Sequence, residues 1–257
     1  MQPIDAYQHA SARARRLLRY HDGLVNIRQR RIRSDWKSSF CKFMRWKQDS
    51  DIDRVDSREA LIVLRDGASL EPSDFASEAV ADLLRSALVL GMSALDRYVH
   101  ERVVKGIVAA LRKPPLSKAQ EEFSIPAVLT LQVTKSLTEA HRKGRQLRPA
   151  NEVRKKVQEI LHRRPFQSWG ELESAFALIG IRKLESRVRT RYQLDDISPI
   201  REQLNDIAKR RNWIVHEGDL VRHQRGGATR CNSISPGFVR KSLDFLDTFA
   251  GHLDKIQ

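Results

Sequence analysis

The chain has 257 residues, of which 40% are apolar and 31% charged, with only 12 glycines and 9 prolines. This length allows one large domain with a buried core, and the composition excludes a disordered chain. Lysine and arginine exceed aspartate and glutamate by 15. Because cations that neutralise phosphates release condensed counterions, this excess favours nucleic acid as the partner, ahead of an acidic membrane surface.

Several features bear on the compartment and on bound groups. The two cysteines, Cys41 and Cys231, lie far apart without metal-ligand spacing, which argues against a disulfide framework or a zinc site. No apolar run approaches the roughly 18 residues of a membrane span. The arginine-rich residues 9–33 resemble a transit peptide only in part, since Asp5 and Asp22 interrupt the pattern. We therefore expect a cytoplasmic protein with no membrane contact, no cofactor and no metal.

The first 56 residues predict a basic helical N-terminal extension. Arginines and lysines are dense in residues 11–33 and 36–47, and an apolar stripe recurs at helical spacing in the second segment. The stripe consists of Trp36, Phe40, Phe43 and Met44. Two interpretations remain open: the stripe docks a helix on the body, or its aromatic rings stack on unpaired bases. Residues 48–56 shift to mixed charge, and we place the boundary with the main domain, residues 57–257, after them.

The sequence of the main domain predicts a series of helices. Residues 71–115 predict one long helix that begins at Ser73 and is stopped by Pro114 and Pro115. Shorter helices follow, with starts at Pro126, Asn151 and Ser168 and stops at Gly144 and Gly180. No stretch with alternating polarity is long enough to predict a sheet. The fold class we predict is therefore all-α, a helical bundle.

Two helices are predicted at the C-terminal end. Ser198 followed by Pro199 predicts a helix start, and Gly218 predicts its end. A polar loop over residues 218–234 then leads to Ser235, which opens a final helix. The first of these two helices carries the segment RNWIVHEGD, which begins at residue 211.

The face of this helix that Arg211 occupies is unusual. On a helical wheel the apolar sector comprises Ile200, Leu204, Ile207, Ile214 and Val215. Arg211 falls within that sector, so its guanidinium needs a carboxylate, a carbonyl group, a phosphate or a water-filled cleft. Arg210 falls outside the sector and is expected to be solvated.

A polar strip runs beside the apolar sector. It consists of Arg201, Asn205, Asn212 and His216, of which the last two are four residues apart and can touch. Arg211 and His216 are five residues apart and diverge by about 140° on an ideal helix. The spacing is thus also compatible with a salt-bridged arginine and a histidine that stabilises the helix C-terminus.

The segment RNWIVHEGD, read as Arg211, the polar Asn212, three apolar residues and His216, resembles the Arg-x4-6-His signature of the HEPN superfamily. HEPN proteins are all-helical, and many are metal-independent RNases. The upstream segment MSALDRYVHERV, which begins at residue 92, is similar to the first long helix of such domains. The resemblance covers roughly residues 73–257. It implies that Arg211 and His216 are catalytic, that Asn212 is their polar companion and that Asp96 is a supporting polar group.

The implied activity is that of a metal-independent endoribonuclease that uses the ribose 2′-hydroxyl as its internal nucleophile. Histidine suits the proton transfers because it titrates near neutral pH, and arginine suits the charge that develops on the phosphate. The resemblance also implies a homodimer with its cleft between two copies of the motif helix. A role as a prokaryotic toxin or phage-defence effector, with an antitoxin or other regulatory protein as partner, is implied in the same way.

A second function fits the same residues. The chain can be a catalytically inactive helical module that binds RNA or a partner protein, with Arg211 and His216 used for structure or for phosphate recognition. Basic charge is expected in both cases, so it does not separate them.

Overall fold

The computed structural model describes residues 2–30, 32–47, 50–65, 67–110, 113, 115–144, 148–221 and 230–256. Within these ranges the helices are α1 (Pro3–Leu24), α2 (Ser34–Phe43), α3 (Ser77–Ala110), α4 (Lys118–Glu121), α5 (Ala127–Arg142), α6 (Pro149–Leu161), α7 (Trp169–Leu178), α8 (Leu184–Tyr192), α9 (Ser198–Glu217) and α10 (Pro236–Asp254). The strands are β1 (Arg28–Arg30), β2 (Ile52–Asp56) and β3 (Leu61–Arg65). The prediction of a mostly helical protein is confirmed.

Helix α3 lies at the centre of the fold. Helices α1, α6, α7, α9 and α10 all contact it. Its buried side chains, among them Leu88, Leu95, Tyr98 and Ile107, therefore face in several directions rather than along one stripe. The predicted start at Ser73 is wrong, because Pro72–Phe75 forms a separate 3-10 turn and Ala76 is extended before α3 begins. The helix ends at Ala110, before Pro115, and the predicted stop at Pro114 lies outside the described residues.

Helix α1 is packed into the helical body. Its residues Tyr7 and Leu18 are buried against α3 and α10. The carboxylate of Asp247 on α10 accepts hydrogen bonds from the Tyr7 hydroxyl at 2.6 Å, the Ser11 hydroxyl at 2.7 Å and the Arg15 guanidinium at 2.5 Å. The structure thus joins the segment we predicted as an extension to the C-terminal helix of the predicted main domain.

A small antiparallel sheet corrects the prediction that no strands are present. Its order is β1-β2-β3, and β2 pairs with β3 so that the proposed boundary after residue 56 falls between two hydrogen-bonded strands. The strands have only three to five residues, and β2 buries Ile52 and Val55, which are three positions apart. Such short strands give no alternating pattern in the sequence.

Helix α2 contacts this sheet. The Trp36 and Phe40 rings stack with centroids 4.9 Å apart, and the Arg54 guanidinium of β2 lies over the Trp36 ring. Cys41 is fully buried, whereas the Phe43 side chain is 82% exposed. The predicted aromatic stripe is therefore divided: Trp36 and Phe40 are partly buried, whereas Phe43 and Met44 are exposed.

Candidate active site on helix α9

Helix α9 carries the candidate site, and its two ends are fixed by local hydrogen bonds. At the start, the Asp196 carboxylate accepts bonds from the Ser198 backbone N–H at 3.0 Å and from its hydroxyl at 2.9 Å. At the end, Gly218 adopts a left-handed φ of 61°, which glycine tolerates without a steric penalty. Leu204 and Ile207 are buried, and α9 contacts α3. The predicted end of this helix at Gly218 is confirmed, whereas at its start Ile197 is the N-cap and Ser198, the predicted N-cap, is the first helical residue.

Arg210, which we predicted to be solvated, is instead part of a buried ion cluster. Asp219 has no exposed surface, and its carboxylate lies 2.7 Å from Arg210 Nη1. It also accepts a hydrogen bond from Arg85 Nε of α3 at 2.7 Å. The helical wheel did not predict that Arg210 is buried, because its partner Asp219 lies beyond the end of the helix, where the chain turns back towards Arg210.

This cluster also holds the segment that follows α9. Both arginines donate to the Asn232 carbonyl, at 2.9 Å from Arg85 and 3.3 Å from Arg210. The Asn232 backbone N–H donates to the Asp219 carbonyl at 2.7 Å. The C-terminal turn of α9 is therefore tied to α3 and to the segment before α10. The predicted loop over residues 218–234 lies partly outside the described residues, which omit 222–229.

Arg211 makes no ion pair with a carboxylate among the described residues, in contrast to Arg210. The side chain is half-buried, and its Nη1 donates to the Asn212 side-chain oxygen at 3.0 Å. Its Nε is buried without a hydrogen-bond partner among the described residues. Because Nε is enclosed by protein, the terminal nitrogens are the ones that could bind a phosphate oxygen, and their charge is not paired with a carboxylate among the described residues.

Asp96 on α3 lies close enough to Arg211 for their charges to interact. Burial raises the pKa of Asp96 above its usual range, and the Phe166 N–H, His100 and the Arg211 charge each oppose this rise. The Phe166 N–H donates to Asp96 Oδ1 at 2.6 Å. Of the four predicted site residues, Arg211 and Asn212 are thus joined by a hydrogen bond, and Asp96 interacts with Arg211 through charge alone.

His216, the fourth predicted residue, makes no hydrogen bond or ion pair with the other three within one chain. Its side chain is exposed, and within the described ranges it makes no hydrogen bond, including with Asn212. Val215, at the edge of the apolar sector, is 45% exposed within the single chain. The last turn of α9 therefore presents a histidine and an apolar side chain to the surroundings.

His100 is a candidate that sequence reasoning missed. Its Nε2 lies 3.7 Å from Asp96 Oδ2, and its ring centroid lies 4.7 Å from that of Phe166. Burial lowers the pKa of His100 below its ordinary value, despite the opposing effects of Asp96 and the Arg164 backbone. Both residues line a cleft of about 280 Å³ that His162 completes from the end of α6. The separation of four residues between Asp96 and His100 was the available signal, because it places both on one helix face.

The described residues contain no group of three or more histidine, cysteine or acidic side chains arranged to hold a metal ion. Among the helices that the structure describes, none is long and apolar enough to cross a membrane. No protein-family model matches the chain, and no curated protein or solved structure is significantly similar to it. The HEPN resemblance therefore rests on the motif residues and on their helical setting.

Proposed function

We propose that the protein is a metal-independent endoribonuclease of HEPN type in which Arg211 binds the scissile phosphate. The observation that carries this proposal is the contrast between two adjacent arginines. Arg210 has its charge neutralised by the buried Asp219, whereas Arg211 donates to the Asn212 amide oxygen and makes no ion pair with a carboxylate among the described residues. A half-buried cation without a direct carboxylate partner is suited to an anionic ligand.

The reaction would form a bond between the ribose 2′-oxygen and phosphorus and break the bond to the 5′-oxygen. A base takes the proton of the 2′-hydroxyl, and an acid donates a proton to the departing 5′-oxygen, which leaves a 2′,3′-cyclic phosphate and a 5′-hydroxyl. His216 is the proton-transfer group, and Arg211 with Asn212 stabilises the charge on the phosphate. Asp96 supports Arg211 electrostatically.

A second copy of the chain would complete the cleft, since His216 and Arg211 do not meet within one chain. Apolar side chains close to His216 in the sequence are exposed: Val215 is 45% exposed, Leu220 44% and Val221 38%. Contact with a symmetry-related α9 would bury these side chains and bring one His216 towards the partner's Arg211 region. The roles in toxicity or phage defence, and an antitoxin or other regulatory partner, follow from the resemblance alone.

The test is incubation of the purified protein with total RNA in the presence of EDTA, followed by analysis of the fragment ends. We expect fragments with 2′,3′-cyclic phosphate ends. Arg211→Ala should reduce cleavage by at least about a hundredfold with little loss of stability. The matched variant Arg210→Ala should instead destabilise the fold by about 3 kcal/mol or more, because it leaves Asp219 buried with an incomplete set of partners. Intact RNA after incubation with the folded parent protein would contradict the proposal.

A catalytically inactive module that binds RNA or a partner protein is the second candidate. The exposed His216, which has no hydrogen-bond partner in the described part of the chain, favours it. In that case Arg211 contributes to binding, and Arg211→Ala weakens RNA affinity although the parent protein cleaves nothing. Turnover therefore separates the two functions.

A further inference from the structure

The arginines of helix α1 fall into two groups with different surroundings. Arg15 faces α10, where its guanidinium lies 2.7 Å from Asp244 and 2.5 Å from Asp247. Arg13, Arg16 and Arg19 are exposed and make no hydrogen bond or ion pair within the described ranges. Arg15 thus holds the helix in place, and the other three leave their charge available to a partner.

The three free arginines form one surface together with Tyr20. At 100° per residue, these four side chains fall within a sector of about 120° on the outer side of α1. The Tyr20 side chain is 53% exposed. The acidic residues of α1, Asp5 and Asp22, lie near its two ends, so none interrupts this surface. We call Arg13, Arg16, Arg19 and Tyr20 the α1 basic stripe.

The C-terminal end of this stripe and the C-terminal turn of α9, which carries His216, lie at the same end of the helical bundle. Leu18 of α1 packs in a cluster with Leu84 of α3. Asp219, just beyond α9, pairs with Arg85, the next residue of α3. Helices that each pack at about 8–10 Å from a shared neighbour have axes no more than about 20 Å apart. Arg211 lies about 12 Å along α9 from Asp219, at about 1.5 Å per residue. A single strand of several nucleotides, the usual site size of single-strand binding proteins, is long enough to span these separations.

We propose that the α1 basic stripe binds the backbone of single-stranded RNA whose scissile phosphate lies at Arg211. The three guanidinium groups would contact consecutive phosphates, and the Tyr20 ring would stack on a base. An acidic membrane is the less suitable partner, because the apolar face of α1 is buried against α3 and α10 and cannot enter a lipid bilayer. The proposal rests on the proposed function, since it takes RNA as the ligand of α9.

The test is the salt dependence of RNA binding by the triple variant Arg13→Ala, Arg16→Ala, Arg19→Ala. The ligand is a single-stranded RNA oligonucleotide with 2′-O-methyl riboses, which cannot supply the nucleophile and so is not cleaved. With a slope of about −0.7 per phosphate contact, three lost contacts should flatten the plot of log affinity against log salt by about 2. At about 0.1 M salt the triple variant should therefore bind the RNA roughly a hundredfold more weakly than the parent protein does. At about 1 M salt the two proteins should bind equally, because the contribution from counterion release vanishes there.

The matched control is Lys118→Ala, Lys135→Ala, Lys155→Ala, which removes the same charge from helices α4, α5 and α6. Each of these lysines is exposed and lies near a glutamate on its own helix or at that helix's end. We expect a salt slope close to that of the parent protein.

The proposal is overturned if the salt slope of RNA binding is unchanged in the arginine variant, or if it changes equally in the lysine variant. It is also overturned if the arginine variant loses binding to phosphatidylserine vesicles while its RNA binding does not change. Cleavage is measured separately on a dinucleotide substrate, which is too short to reach α1. The parent protein and the arginine variant should cleave it equally. If the parent protein fails to cleave the dinucleotide, that result counts against the proposed nuclease activity. The proposal that the α1 basic stripe binds RNA is still decided separately, by the salt dependence of binding.

Discussion

The buried cluster around Asp219 predicts that loss of one negative charge destabilises the whole domain. The side chains of Arg85 and Arg210 are only 9% and 12% exposed. Asp219→Asn therefore leaves Arg210 without a counter-ion among the described residues and leaves Arg85 with only the exposed Asp82. Breaking a buried ion pair by removing one partner typically costs about 3–5 kcal/mol. Asparagine is the informative replacement, because it tolerates the left-handed φ of 59° at this position and thus isolates the effect of charge from backbone strain.

Urea denaturation followed by circular dichroism measures this cost. We expect Asp219→Asn to lower the free energy of unfolding by about 3 kcal/mol or more. The control is Asp82→Asn, since Asp82 also bonds to Arg85, at 2.9 Å, but is 73% exposed and should cost less than about 1 kcal/mol. Equal costs for the two variants, or a cost below about 1 kcal/mol for Asp219→Asn, would refute the assignment of this cluster as the anchor of α9.

Three further predictions concern other parts of the fold. Asp247→Ala should lower the free energy of unfolding by about 1–3 kcal/mol, measured in urea, because Tyr7 and Arg15 lose an acceptor; a smaller change would mean that apolar packing alone holds α1. Burial lowers the pKa of His100 in the folded protein, so the unfolded state binds the proton more readily when the pH falls through the ordinary pKa of histidine. The free energy of unfolding should therefore decrease between about pH 7 and 5. His100→Gln should reduce that drop in urea titrations, and an identical pH profile would contradict the assignment. Val215→Glu should convert the proposed dimer to a single chain in light scattering, whereas an unchanged dimer would place the interface elsewhere.

Local capping signals made several helix boundaries predictable. Ser168 begins α7 with its side chain and that of Glu171 in a reciprocal capping box, and the Ser235 hydroxyl accepts the Phe238 N–H at the start of α10. Gly180 ends the turn after α7 with a φ of 82°. These signals depend on residues within a few positions of one another, so a single sequence contains them.

The features that depend on distant residues could not be predicted in this way. The sheet requires residues 28–30 to pair with residues 54–56, and no local pattern marks so short a pairing. The burial of Arg210 was not predicted, because a helical wheel does not contain Asp219, which lies beyond the helix end. The wheel likewise does not contain Asp96, which interacts with Arg211 from another helix. For the candidate site, the motif located the helix and the residues, whereas the partner of each arginine depended on tertiary packing.

The most direct test of the central claim is cleavage by His216→Ala. Because the His216 side chain is exposed, its removal should leave the free energy of unfolding nearly unchanged and should preserve most RNA binding. Loss of the proton-transfer group should reduce cleavage by at least about a hundredfold. His141→Ala, at an exposed histidine of α5, serves as the control and should cleave as the parent does. A folded His216→Ala protein that binds RNA and cleaves it at the parent rate would contradict the nuclease mechanism.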